Sequence, residues 1–155
     1  MNLDLKVLIR KMNEDDYETM AKWLSTEEVL EFYGDVNSPF DLVKVKEKYG
    51  PRIAGEVPVI PYIVELGDTP IGYMQKYSLS EEKKVGFGYF THDQVYGVDQ
   101  FIGVPSLFDK GIGTKMVRQL LVIFLIIRMQ MLLFWTLRYQ MLEQLNVMRN
   151  ADFQK

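Results

Sequence analysis

The chain contains no cysteine and a single histidine, His92. Without thiols there is no disulfide framework, no thiolate nucleophile and no Cys-ligated metal site, and one imidazole cannot build a His-rich one. Metal chemistry is therefore not expected. The N-terminus does not read as a secretory leader either: MNLDLKVLIRK alternates polar and apolar residues and has neither a long apolar stretch nor a small-residue cleavage site, so a cytoplasmic protein is expected. Nor is there an excess of positive charge. The net charge is −3, and residues 1–118 hold 14 Lys/Arg against 19 Asp/Glu, whereas residues 119–155 hold 4 against 2. An acidic main body argues against a nucleic-acid partner, which needs phosphate-neutralising cations, and is compatible with a cationic substrate. The apolar run Leu120–Ile127 has only eight residues before Arg128, short of the ~20 that a spanning helix requires. A membrane association through this tail stays a minor alternative, carried by its cations and large apolar side chains.

What is present suffices for one globular domain with a core: 155 residues, 48% of them hydrophobic. Leu3, Leu5, Val7 and Ile9 alternate with polar or amphipathic positions, as in a half-buried strand. Asp15 and Asp16 then open an acidic helical turn, followed at helical spacing by Tyr17, Met20, Ala21 and Leu24. Thr26 caps a short helix, EEVLEF, ended by Gly34. Ser38 and Pro39 read as cap and first-turn proline of another helix running through Val43 and Val45 to Tyr49.

Two β-rich runs, Val57–Leu66 and Ile71–Leu79, flank GDTP and predict a hairpin. SEEKKVGFGYFTHD reads as a polar loop, with His92 on the surface. VYGVDQFIG, at 95–103, is a further strand, and PSLFDKGIGT opens a helix. This order of elements indicates an α+β (α/β) chain with the glycine loop following a central strand.

Gly111-Ile112-Gly113-Thr114 sits where strand hands over to helix, so its backbone amides and the helix dipole suit an anionic phosphate, although a GxG pair is equally a tight turn. It lacks the GKS/GKT ending of a P-loop and the setting of a dinucleotide fingerprint, so ATP and NAD fit poorly. Asp99 is the other conspicuous residue. Aspartate is disfavoured inside strands, so its place in VYGVDQFIG marks either a functional carboxylate or an edge or bulge position facing water. Trp23, Phe32 and Tyr33 read as core aromatics rather than a sugar-stacking surface.

FDKGIG resembles the R/Q-x-x-G-x-G/A acyl-CoA pyrophosphate loop of the GNAT superfamily of N-acetyltransferases, with Phe108 departing at the first position. KWLSTEEVLEFYG, IPYIVELGDTPIGYMQKY and VYGVDQFIG…FDKGIGT resemble, in order and spacing, the aminoglycoside 6′-N-acetyltransferases, including the acetyltransferase half of the bifunctional acetyltransferase–phosphotransferases. The resemblance spans roughly residues 5–120. It implies a mixed, mostly antiparallel central sheet flanked by helices, and acetyl-CoA-dependent acetylation of an aminoglycoside or related amine, conferring antibiotic resistance. It also implies that the acetyl-CoA pyrophosphate lies on backbone amides of Lys110, Gly111, Ile112, Gly113 and Thr114, with the pantetheine beside Gln100, Phe101, Ile102 and Gly103. Asp99 is then the candidate base. Glu28, Glu31 and Asp35 are candidates for lining a cationic-substrate cleft, solvation being the simpler reading of these three.

The resemblance stops in the tail. A GNAT chain continues from the loop helix into a strand and a helix carrying N-x-x-A-x-x-x-Y-x-x-x-G-F, a pattern that RMQMLLFWTLRYQMLEQLNVMRNADF does not show. Reading the possible codons one nucleotide earlier allows NNKNADVVILDPQISNARAIKCYEKCGF, which contains both the strand and the signature. The expected organisation is a GNAT-like domain over residues 1–118 and an apparently frame-shifted apolar tail, helical in part, over 119–155. Shifted codons with a central U still encode apolar residues, so Met129–Leu137 retains the composition to pair as a strand. The family's C-terminal strand and helix are nevertheless expected to be disrupted, and Tyr139 falls before the place of the family tyrosine. On this basis the chain is either an N-acetyltransferase or a defective remnant with at most residual acetyl-CoA binding.

Overall fold

A computed structural model describes residues 4, 6–126 and 132–135, the last four as backbone. Its centre is a five-stranded sheet in the order β1-β2-β3-β4-β5, formed by Val7–Lys11, Val59–Leu66, Thr69–Ser78, Val95–Ile102 and Leu132–Trp135. The first four strands run antiparallel to their neighbours, and β5 joins β4 in parallel. The hairpin between β2 and β3 turns on Gly67, at φ 63°, a left-handed conformation that glycine adopts without a Cβ penalty. The pairing shifts register between Val64 and Glu65.

Helices cover both faces of the sheet. On one lie α1 (Tyr17–Trp23), α2 (Glu27–Leu30) and α3 (Leu42–Ile53). Met20, Trp23, Leu24, Val29, Val45 and Tyr49 pack there with Ile63, Tyr73 and Phe101 of the strands. On the other face α5 (Ile112–Ile126) buries Ile112, Met116, Leu120 and Phe124, one per turn, against Val64, Ile71, Met74 and Val98. Burial of side chains of this size contributes roughly 1.5–3 kcal/mol each, which anchors the loop preceding the helix. The apolar run beginning at Leu120 is thus divided by the helical period: Leu120 and Phe124 are core, while Val122 and Leu125 face outward. No helix among the described residues is long and apolar enough to cross a membrane, so the membrane alternative has no support in a spanning helix.

Several local expectations are corrected. Helix α3 starts later than Ser38-Pro39 implies: its cap is Asp41, whose side chain accepts from the Lys44 N–H at 2.8 Å, and the helix continues past Tyr49 through Pro51. Thr26 stands at the cap position of α2, but its hydroxyl donates back to the Lys22 carbonyl at 2.8 Å and makes no cap bond. The expected polar loop holds a short helix, α4 (Glu81–Gly86), capped by Ser80. Asn13 together with Asp16 forms the capping box that starts a 3-10 turn leading into α1.

Helix α5 crosses the expected boundary at residue 118 without a break. Strand β5 falls within Met129–Leu137, while the helix expected after it, and Tyr139, lie outside the described residues.

Candidate active site

The pairing of β3 with β4 sets Tyr73 opposite Phe101, Gln75 opposite Asp99 and Tyr77 opposite Gly97. Strand alternation then puts Tyr73, Gln75, Tyr77 and Asp99 on one face, the side of α1–α3, and Gln100 on the other. Gln100 is buried there and donates from Nε2 to the Gly113 carbonyl at 3.5 Å, tying β4 to the glycine loop.

Asp99 is half-buried. Its Oδ2 accepts from Gln75 Nε2 at 2.7 Å, and its Oδ1 accepts from the Tyr77 hydroxyl at 3.3 Å. The Tyr77 ring lies across Gly97, where a Cβ would come within 2.3 Å of it; glycine at 97 therefore lets the phenol reach the carboxylate. Beyond Gln75 stand Tyr73, whose hydroxyl donates to Gln75 Oε1 at 2.9 Å, and Arg52 from the last turn of α3, whose guanidinium donates to the same oxygen. Arg52 also packs over the Tyr49 ring at 5.1 Å.

Burial raises the pKa values of Tyr33, Tyr49 and Tyr73, neighbouring phenols add to it, and the Arg52 cation offsets part of the rise. These phenols stay neutral at physiological pH. Asp99 is thus the charged acceptor among polar groups that otherwise donate to it or to one another.

The described β4–β5 pairing ends at Val98↔Trp135, one residue before Asp99. Among the described residues, Asp99–Ile102 have no strand paired on that edge. Phe101 is buried against Trp23, Tyr33 and Tyr73, Ile102 is half-buried, and Gly103 is buried with its N–H donating to the Ile71 carbonyl at 2.8 Å.

The glycine loop turns through two left-handed residues, Asp109 at φ 58° and Gly111 at φ 76°. Lys110 and Gly111 are exposed, Thr114 is half-buried, and Ile112 and Gly113 are buried. The N–H groups of the first helical turn have no carbonyl partner within the helix, which is the geometry that receives anions. Phe108 at the head of the loop meets Phe32 edge to face, with centroids 6.0 Å apart. An apolar residue there clamps the loop to the segment after α2.

That same segment lays Tyr33 on Phe101, with centroids 4.5 Å apart. Glu28, Glu31 and Asp35 are exposed on α2 and the chain following it; Asp35 Oδ1 accepts from the Asn37 N–H at 2.9 Å. His92 is exposed and stacks on Phe90. Trp23 is core, whereas Phe32 and Tyr33 are half-buried.

Four residues around Asp99 were not singled out in the sequence: Arg52, Tyr73, Gln75 and Tyr77. The available signal was the polar pair Gln75-Lys76 inside an otherwise apolar strand. Assigning Gln75 to Asp99 requires the register, which composition does not supply.

Residues 12–130 match the family described as the acetyltransferase (GNAT) domain. The chain is similar to an aminoglycoside N(6′)-acetyltransferase type 1 of Klebsiella pneumoniae, at 34% identity over 119 residues, which are 77% of this chain and 59% of that protein. It thus spans less than two thirds of the length of this curated relative. Among solved structures it is similar to the aminoglycoside acetyltransferase AAC(6′)-Ib in complex with coenzyme A, with TM-score 0.62 and 32% identity over 77% of this chain and 68% of that one. A second structure of AAC(6′)-Ib, with coenzyme A and kanamycin, gives TM-score 0.73 and 27% identity over 94% of this chain and 83% of that one.

Proposed function

Because the chain belongs to the GNAT acetyltransferase family, we propose that it transfers an acetyl group from acetyl-CoA to an amine of an aminoglycoside, at the 6′ position, in the cytoplasm. The observation that carries this reading is the Asp99 carboxylate, held within β4 by hydrogen bonds from Gln75 and Tyr77.

The loop residues fit the cofactor. A Cβ at Gly111 would meet nothing within 4 Å, so the backbone there is open to close approach, and the start of α5 favours negative charge. In this reading amides of Lys110–Thr114 hold the pyrophosphate, and the pantetheine arm runs beside Gln100–Gly103. Acetyl-CoA would supply the acetyl group as a thioester, whose C–S bond breaks as the amine nitrogen bonds to the carbonyl carbon, coenzyme A leaving as a thiolate that takes up a proton. The substrate amine arrives as an ammonium, which has no lone pair and must lose a proton before or during attack. Asp99 accepts that proton through Oδ1, which takes the longer 3.3 Å bond from Tyr77, while Oδ2 is held by Gln75 at 2.7 Å. Its charge also attracts a polycationic substrate, and the exposed Glu28, Glu31 and Asp35 extend the acidic surface on that side.

Thiol release from acetyl-CoA in the presence of kanamycin tests the proposal. The expected result is turnover that falls ~10²–10⁴-fold in Asp99→Asn, the usual worth of general-base help. An Asp99→Asn chain with undiminished turnover removes Asp99 from the mechanism.

The tail supports a second reading, in which residues 119–155 are a shifted-frame product and the chain is a remnant that binds acetyl-CoA without turning over. The observation favouring it is the absence of the family's C-terminal signature from RMQMLLFWTLRYQMLEQLNVMRNADF. Calorimetry with acetyl-CoA beside the thiol assay separates the two, and re-reading the DNA across the codons for Arg118–Arg128 decides whether the shift is real.

A further inference from the structure

Arg52 is a half-buried cation with no carboxylate within 4.0 Å among the described residues. Its guanidinium instead donates to the Gln75 carbonyl oxygen, and the amide nitrogen of the same side chain donates to Asp99. The result is an ion pair with an amide inserted between its charges. Tyr73 donates to the same Gln75 oxygen at 2.9 Å, so two donors fix which end of the amide faces away from Asp99. The amide dipole is aligned by both charges, and bonds in such a chain polarise one another.

We propose that Gln75, locked by Arg52 and Tyr73, is a positioning residue for acetyl transfer: it fixes the rotamer of Asp99 and keeps Oδ1 facing the substrate amine. This rests on the acetyl-transfer reading above. The arrangement has a chemical logic. A direct Arg–Asp pair would engage both carboxylate oxygens in a fork and weaken the group as a base. Through Gln75 the cation orients the carboxylate by one oxygen, and the other, which takes the longer 3.3 Å bond from Tyr77, keeps lone-pair capacity for the incoming ammonium.

Three measurements on the full chain test it. First, in amide spectra the Gln75 side-chain NH2 signal, identified by its loss in Gln75→Leu, should move as pH falls through the carboxylate range and lose that response in Asp99→Asn. A pH-independent signal overturns the proposal, and this measurement requires no activity. Second, Gln75→Leu should lower kcat roughly tenfold or more while leaving the acetyl-CoA KM within about twofold, as expected when a base is misaligned but cofactor binding is untouched. Third, the isosteric Gln75→Glu cannot donate when ionised and sets a like charge beside Asp99, so the acid limb of kcat/KM should move to higher pH. Active variants whose kcat and acid limb superimpose on those of the wild type overturn the assignment. A wild-type chain that turns over no aminoglycoside overturns the acetyl-transfer reading instead, and the amide titration then decides the Gln75 contact alone.

Discussion

The indole of Trp23 occupies the space that a side chain at Gly103 would need: a Cβ there would lie 2.2 Å from ring atom Cδ2. The same ring meets Phe101 edge on, with centroids 6.0 Å apart. Helix α1 therefore docks on the end of β4 through a contact that requires glycine for its lack of a side chain. Gly103→Ala should force the ring out of place and destabilise the fold by about 1–3 kcal/mol, the usual range for overpacking. Urea denaturation reads this directly, and an unchanged midpoint would mean that the ring yields freely.

A second glycine carries a different consequence. At Gly97 the obstacle is the Tyr77 ring, whose hydroxyl reaches Asp99. If Asp99 is the base as proposed, Gly97→Ala should displace the phenol and lower kcat by roughly tenfold, because a base moved by a fraction of an ångström loses alignment. Tyr77→Phe removes the 3.3 Å hydrogen bond to Asp99 while keeping the ring, and should cost about threefold or less. Steady-state kinetics on the pair checks the order; equal losses would mean that the bond rather than the ring's position matters.

These two positions indicate what the sequence made legible. The Val95–Gly103 strand stood out because its apolar residues surround a single acid, and the β2–β3 hairpin because its turn residues are explicit. The glycine loop was visible as a strand-to-helix handover. Three-dimensional register was not visible: nothing in IGYMQKYS says that Gln75, rather than Lys76, faces Asp99. Helix α4 was missed because SEEKKVGF has no apolar periodicity to announce it, although Ser80 followed by two glutamates is a usable cap signal. The start of α3 was placed too early because Ser38-Pro39 imitates a helix opening, while the bond that caps the helix belongs to Asp41.

That cap gives a direct test. Asp41→Ala should cost about 1 kcal/mol, whereas Ser38→Ala, at an exposed position before the helix, should be close to neutral. Thermal unfolding of the two variants distinguishes them, and the reverse order would return the cap to Ser38.

Stability should also depend on pH through Asp16. Arg10 forks onto its two oxygens at 2.7 and 2.8 Å, and the Asn13 N–H donates to one of them at 2.9 Å. Burial pushes this carboxyl up, but the guanidinium and the backbone donor outweigh it and hold it below the usual aspartate value of 3.8. Since the folded state favours the ionised form, the contribution is present above the unfolded value and is lost as pH falls through the lowered folded one. Asp16→Asn should cost about 1–2 kcal/mol at neutral pH, since Arg10 is part-exposed and keeps Glu65 as a partner, and flatten the acid side of the stability curve. Urea midpoints between neutral and acidic pH check both effects, and a variant with unaltered acid sensitivity would contradict the assignment.

Asp99 and Gln100 are neighbours in the chain but serve opposite faces of the sheet, one held by Gln75 and the other donating toward Gly113. Sliding β4 by a single residue would turn the carboxylate toward the α5 side and bring the amide round in its place. No partial slip retains half of the arrangement. Under the proposed acetyl transfer, turnover is therefore a digital reporter of strand alignment: sequence drift that loosens the sheet without shifting it should leave each active molecule at full speed and change only how many such molecules there are.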